Sequence, residues 1–409
     1  MGAAAFARYS CGLLAGSLLL MLATAAFNRI VDPFQYFGYP RIPGFNAVKS
    51  RLRFFEREVK PAVVRREQPE AVILGSSIAA IGFEPLHPAL TDDGRARSYN
   101  FAMAGAPWKE VFCDLEYVLA HTHAKRIVFG MVAQPMPDAD CGRSLAAMDE
   151  NRLPEVLLSP QAVQHSLKTL RSQDPREPQT HTAEGRYLFF RDDPRVEHRA
   201  RVFFEENLRG KSGCSEARLR ASLDAPAPPR ASDVATPFDV SGLERIVAQV
   251  SGRDIQLRIV LYPRHVVGAE ADYLCGEEAQ RWLVMDRVAR YLEAHPPAPP
   301  ASVELWDFQG YGPPFDEPLG GGVLTYWQDP IHFNPVLGDR ILDAMFGRGE
   351  PGANRVTGFG YRVESATLPA RRAWLAEQRA AFLHAHPETW DTLMRLVPAH
   401  VPRLPPHAP

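Results

Sequence analysis

Cysteine is scarce in this chain. There are five in 409 residues (Cys11, Cys113, Cys141, Cys214 and Cys275), with no CxxC pair, which excludes the usual structural zinc spacings. An excess of either charge is lacking too. Forty-six basic side chains face 48 acidic ones, for a net charge of −2, and a dedicated nucleic-acid binder needs a basic face, so no nucleic-acid partner is expected. There is no phosphate loop and no dinucleotide fingerprint, which argues against ATP and NAD chemistry, and no cofactor is expected. No internal repeat stands out. Glycine (29) is outnumbered by proline (37), which implies stiff loops rather than flexible linkers.

What is present describes a folded protein. The chain is 45% hydrophobic, 10% aromatic and 23% charged, outside the range of disordered, collagenous or coiled-coil sequences. The length suits two or three units, or one large α/β domain with insertions.

Residues 11–27 read CGLLAGSLLLMLATAAF, without a charge. At 1.5 Å per residue, this run is at the lower limit for crossing a bilayer core. A retained anchor is expected, with a secretory signal as the alternative, because Ala23-Thr24-Ala25 offers a small-x-small cleavage site. Cys11 lacks an apolar run before it, which argues against a lipoprotein site. One feature opposes export. Arg29, Arg41, Lys49, Arg51, Arg53, Arg57 and Lys60 follow the run, and the positive-inside rule would keep such a flank in the cytoplasm. If the domain is exported, the four cysteines beyond the anchor can form up to two disulfides, which the sequence does not pair.

The rest divides by pattern. Residues 1–27 are the anchor or signal, and 28–66 a juxtamembrane segment ending in a basic amphipathic helix. Residues 67–350 form the main α/β domain, and 351–409 a Pro-rich appendage with one helix over about 371–386. Short apolar runs at 71–74 (AVIL), 98–102, 126–132, 255–262 and 302–308 are expected strands. Helical spacing at 107–121, 277–294 and 335–346 places helices between and after them. Alternation of this kind implies a parallel sheet covered on both faces. The stretch 139–240 breaks the pattern. It reads as an inserted, mostly helical segment, with helices at 159–172 and 196–208 and the proline-rich tract DAPAPPRASDVATP.

Ligands of open parallel sheets gather at the carboxyl ends of the strands. There the sequence offers Gly75-Ser76-Ser77 after the first strand, Asn100 and Gly105 after the second, and Asp329-Pro-Ile-His332 before the last helix. A serine hydroxyl becomes nucleophilic when a histidine takes its proton, and an aspartate can fix that imidazole's tautomer. The alternative is that both serines simply cap the following helix and that His332 is a helix-entry residue.

In order, spacing and placement these motifs resemble the SGNH/GDSL hydrolase superfamily, in particular its membrane-anchored cell-envelope branch. That branch includes the D-alanyl-transfer protein of teichoic acids and, more distantly, alginate O-acetyltransferases. The resemblance covers the anchor, about 70–135 and 255–346. It implies a flavodoxin-like three-layer sandwich with Ser77 as nucleophile, His332 as base and Asp329 as its partner. Oxyanion donors would be the backbone N–H groups of Ser77 and Gly105. Ser76 stands where the superfamily has aspartate. The superfamily's asparagine after the third strand is missing from Gly130-Met-Val-Ala-Gln134. Gln134 is a candidate substitute and Asn100 another donor, a turn-forming role being the alternative for Asn100. Arg264 and His265, after the fourth strand, are candidates for an anionic or sugar group, with solvated loop residues as the alternative.

Three functions fit. One is an acyltransferase or O-acetyltransferase passing an acyl group from a donor to an envelope glycan, with an integral-membrane acyltransferase as possible partner. Another is a carbohydrate esterase with the same triad, and the third a non-catalytic scaffold. By the resemblance, the chain would sit in a bacterial inner membrane as a single-pass protein with its main domain outside the cytoplasm.

Overall fold

The computed structural model describes residues 3–49, 52–174, 180–188, 238–274, 277–318, 324–348 and 356–388. The expected helix at 196–208, the proline-rich tract, Cys214, Cys275 and the glycine run 320–322 lie outside the described residues.

The centre is a six-stranded sheet. It is formed by β1 (Ala71–Leu74), β2 (Ser98–Asn100), β3 (Arg126–Met131), β4 (Gln256–Leu261), β5 (Ser302–Asp307) and β6 (Tyr361–Arg362), in the order β2-β1-β3-β4-β5-β6. The first five strands run parallel, with Ile73 beside Asn100, Leu74 beside Phe129 and Leu261 beside Asp307. Consecutive residues of β1 and β3 are buried, so helices cover both faces. The chain first steps from β1 to β2, then crosses to β3 on the other side. The carboxyl ends of β1 and β3 are therefore the topological switch point of the sheet, where ligands of such sheets bind.

The long N-terminal helix α1 (Ala3–Val31) exceeds the expected 11–27, and its stretch Phe6–Val31 is long and apolar enough to cross a membrane. Its last carbonyls meet donors. Asn46 donates to Val31 O at 3.3 Å, and the Lys49 ammonium to Val31 O at 3.2 Å and Asp32 O at 2.6 Å, a cation where the helix dipole favours one. Burial pulls the Lys49 pKa down to about 8.

After a 3-10 turn at Leu52–Phe55 comes α2 (Glu56–Glu67), which is no mere juxtamembrane segment. Its Glu56, Val59, Lys60, Val63 and Val64 are buried in the domain. Next along the chain are α3 (Ser77–Gly82), α4 (Pro88–Thr91) and α5 (Trp108–His121). Pro107 stands at the N-cap of α5 rather than in its first turn. The inserted segment contributes α6 (Gly142–Met148), α7 (Leu153–Leu158) and α8 (Pro160–Arg171), capped by Ser159. Helices α7 and α8 pack against α1. A disulfide joins Cys113 of α5 to Cys141.

Helices α9 (Ser241–Val250), α10 (Val266–Leu274), α11 (Glu277–Ala294), α12 (Pro335–Met345) and α13 (Leu368–Ala385) follow among the described residues. The C-terminal part is not an appendage. It supplies the antiparallel β6, too short to show a period in sequence, and Arg371 of α13 is 1% exposed. That guanidinium donates to Gln309 O at 2.9 Å and Val356 O at 2.9 Å, and reaches Asp307 at 3.5 Å. Asp307 also pairs with Arg281 of α11, which donates in turn to Tyr262 O at 3.0 Å.

Candidate active site

The serine turn is shaped by glycine. Gly75 leaves β1 with φ +145°, and a Cβ there would collide with the Tyr262 hydroxyl and approach Gly130 O to 2.9 Å. The Ser76 N–H then donates to that hydroxyl at 3.2 Å. Burial pushes the Tyr262 pKa up, so the phenol stays protonated and neutral. Ser76 takes the N-cap of α3, but its side chain makes no cap hydrogen bond, so capping does not explain it. Ser77 begins the helix, half-buried.

The acid–base pair arrives from the other end of the chain. Asp329 accepts the N–H groups of Ile331 at 2.8 Å and His332 at 2.9 Å on Oδ1, folding its own loop, and faces His332 Nδ1 at 2.6 Å with Oδ2. The three-residue spacing makes both contacts possible. Asn334 fixes the far side of the loop, donating to Leu324 O and Trp327 O at 2.9 Å each. His332 Nε2 then lies 2.9 Å from Ser77 Oγ. With Nδ1–H directed to the carboxylate, Nε2 is the nitrogen that can accept the serine proton. Burial pushes the Asp329 carboxyl up, but the His332 imidazole and the two backbone donors outweigh it and hold the pKa below the usual value. Asp329 is fully buried and His332 4% exposed, so water does not weaken the pairing.

Two glycines bring these ends together. A Cβ on Gly338 of α12 would collide with Gly82 O at the end of α3, and one on Gly82 would enter the Phe333 ring. Only glycine allows α12 to approach so closely that the residue before Phe333 reaches Ser77.

The remaining expected residues separate. Gly105 sits at φ +71° in the loop after β2, and Met103 N–H donates to Gly75 O at 3.0 Å, so this loop runs beside the serine turn. Helix α2 holds the loop from below. Glu56 accepts the Ala104 N–H at 3.2 Å, and Lys60 donates to Asn100 O at 3.1 Å and Ala102 O at 2.6 Å. Asn100 itself is committed elsewhere. Its amide donates to Ala79 O at 3.0 Å and Phe83 O at 3.1 Å while accepting Ala102 N–H, so it brackets α3 rather than donating to an oxyanion. Gln134 is half-buried beyond β3, with no side-chain hydrogen bond among the described residues.

Arg264 and His265 are structural. Arg264 pairs with Asp272 at 2.7 Å. His265 is buried. Its Nε2 meets Glu317 O at 2.9 Å, its Nδ1 accepts the Val267 N–H, and its own N–H donates to Pro330 O at 3.1 Å. It latches the Asp329 loop instead of binding a sugar or anion. Sequence reasoning passed over Tyr262, Asn334, Gly338 and the α2 pair Glu56–Lys60. For Tyr262 a signal existed, its place at the end of a strand beside the serine turn; the others carry none.

Burial holds His265 near pKa 4, against about 6.5 for an unfolded histidine. Between those values the unfolded chain binds the extra proton, so stability is complete above pH 6.5 and is lost as pH falls toward 4. Thermal melts at pH 7 and pH 4.5 are expected to show a larger loss for the wild type than for His265→Gln, by about 2 kcal/mol. Equal losses would remove the latch.

No family model, curated protein or solved structure matches this chain.

Proposed function

We propose that the chain is a membrane-anchored serine acyltransferase of SGNH type, with Ser77, His332 and Asp329 as its triad and an envelope glycan as acceptor. The hydrogen-bonded chain Ser77–His332–Asp329 carries the reading, because its members come from positions 255 residues apart and meet at a strand end. The strand order β2-β1-β3-β4-β5 is that of flavodoxin-like sheets and supports the resemblance.

In the first half-reaction His332 Nε2 takes the Ser77 proton as Oγ attacks the donor's acyl carbon. The oxyanion faces the N–H groups of Ser77 and Gly105. Collapse breaks the bond to the donor's leaving group, which departs with the proton from His332, and leaves acyl-Ser77. In the second half-reaction His332 deprotonates a glycan hydroxyl, which attacks the acyl-enzyme, and Ser77 leaves as a hydroxyl. Asp329 stabilises the imidazolium in both halves. Water in place of the glycan gives hydrolysis. Transfer is favoured because α1, as an anchor, would keep the domain at the membrane where a membrane-borne donor is available. A fluorophosphonate probe tests the reading: covalent labelling of Ser77 supports it, and an unlabelled protein is a scaffold.

An extracytoplasmic domain is part of the proposal. The Cys113–Cys141 disulfide suits an oxidising compartment. Of the opposing basic flank, Lys49 and Lys60 are 2% exposed and spent inside the fold, while Arg29, Arg53 and Arg57 stay exposed, so the opposing charge is smaller than the sequence suggests. Alkaline phosphatase fused to the C-terminus is expected to be active in intact cells, and activity confined to a cytoplasmic reporter would reverse the topology.

A further inference from the structure

We propose that α7 and α8 form an interfacial shoulder, lying at the lipid headgroup–acyl boundary beside α1 with Leu153, Leu158 and Leu167 dipped into the bilayer. The proposal rests on α1 spanning the membrane. The evidence begins with how α1 is covered. From 6 to 23 its side chains are exposed almost all round, while from Thr24 onward one stripe (Thr24, Ala25, Phe27, Asn28 and Val31) turns half-buried or buried. The exposed stretch is about 27 Å long, close to a hydrocarbon core of about 30 Å. Lipid contact therefore ends where protein contact begins.

That protein contact is α7 and α8. Asn28, fully buried, donates to Leu157 O at 2.8 Å and accepts the Ser166 hydroxyl at 2.7 Å. The next residue in each helix is an exposed leucine: Leu158 at 38% and Leu167 at 42%. Leu153, one turn before Leu157, is exposed at 42%. Residue 28 stands about 7.5 Å beyond residue 23 along the helix, at the level of the headgroups, where interfacial helices lie with their apolar face toward the acyl chains.

Isolated surface leucines are ordinary, but these are gathered. Among the described residues, eight large apolar side chains outside α1 are exposed: Ile42, Phe54, Leu86, Val132, Leu153, Leu158, Leu167 and Val336. Four of them, Ile42 and the three leucines, surround the anchor's exit. Ile42 belongs there because Asn46 accepts its N–H at 2.7 Å and donates to Val31 O. Lys168 and Arg171 in the last turn of α8 carry the charge that suits lipid phosphates. A lipid occupant is favoured over a protein partner by this continuity with the span. The shoulder would fix the domain's tilt and the height of Ser77 above the bilayer.

The test uses the full chain in nanodiscs containing phosphatidylglycerol, with Cys11, Cys214 and Cys275 replaced by serine. A nitroxide is attached in turn at Leu153→Cys, Leu158→Cys and Leu167→Cys, with Leu14→Cys as a span control. Asp254→Cys, two residues before β4 at a position with a 71% exposed side chain, is the aqueous control. Power saturation reads the accessibility to oxygen relative to a water-soluble nickel complex. The three shoulder sites are expected to show a ratio at least threefold above Asp254→Cys. Aqueous ratios there, with Leu14→Cys in lipid, overturn the shoulder while leaving the anchor intact. Sites shielded from both reagents also overturn it, since protein and not lipid would cover them. An aqueous ratio at Leu14→Cys removes the span itself, and the shoulder with it.

Discussion

Ser77→Ala is expected to lose all covalent labelling by fluorophosphonate and to slow acyl transfer by about 10³-fold or more, since a triad acts as a unit. Ser76→Ala, its chain neighbour, should slow the reaction only about tenfold, roughly 1.4 kcal/mol of barrier. The difference follows from the turn. Gly75 orients the next two residues so that Ser77 Oγ alone is hydrogen-bonded to His332, at 2.9 Å. Ser76 is engaged through its backbone, donating its N–H to Tyr262. Ser77 is also the first residue of α3, where the helix dipole favours a developing oxyanion. Mass spectrometry of the labelled peptide spanning 75–80 decides the matter. A label on Ser76 would move the nucleophile by one residue, and no label on either would leave a scaffold.

His332→Ala and Asp329→Asn should be as damaging, by different routes. Alanine removes the proton acceptor, with an expected loss of about 10³-fold or more in acylation. The loop should survive, because Asp329 Oδ1 still accepts two backbone N–H groups and Asn334 still holds the opposite side. Asparagine keeps the shape but can turn its amide N–H toward Nδ1. The imidazole proton then moves to Nε2, facing Ser77, and no base remains; a loss on the order of 10⁴-fold is expected. Raising the pH should not rescue it, since the fault is the tautomer. Probe kinetics, with melting temperatures to confirm folding, measure both variants. If each reacts at the wild-type rate, the pair is structural and the enzyme reading fails.

Much of the sheet was legible before any coordinates. The run AVIL at 71–74 and the helix at 277–294 fall where periodicity placed them, because a buried parallel strand is apolar on both faces and a helix repeats every 3.6 residues. Serine, aspartate and histidine were legible as candidates for a different reason: Ser77 follows a glycine turn at the carboxyl end of β1, and Asp329 and His332 stand just before the start of α12. Local pattern failed where the partner is remote. Asn100 reads as a free donor in sequence, yet its amide is used on α3 carbonyls about twenty residues away. His265 reads as a cleft residue and proves to be a buried latch on Pro330. Lys49 and Lys60 read as a basic flank, yet the fold buries them under the carbonyls of Val31 and Asp32 and of the loop after β2.

The sequence by itself determined the α/β class, the long apolar N-terminal helix and the Asp-x-x-His loop. Each depends on residues a few positions apart, so spacing alone encodes it. Tertiary structure decided which residues meet. Gly82 and Gly338 act only as a pair, by leaving no side chain between α3 and α12, and this contact carries His332 to Ser77. The same holds for α2 under the Gly105 loop and for α7 and α8 against Asn28. Such contacts join segments about 50 to 260 residues apart in the chain, and they are selected by shape and by hydrogen bonds that exist only once the sheet has folded.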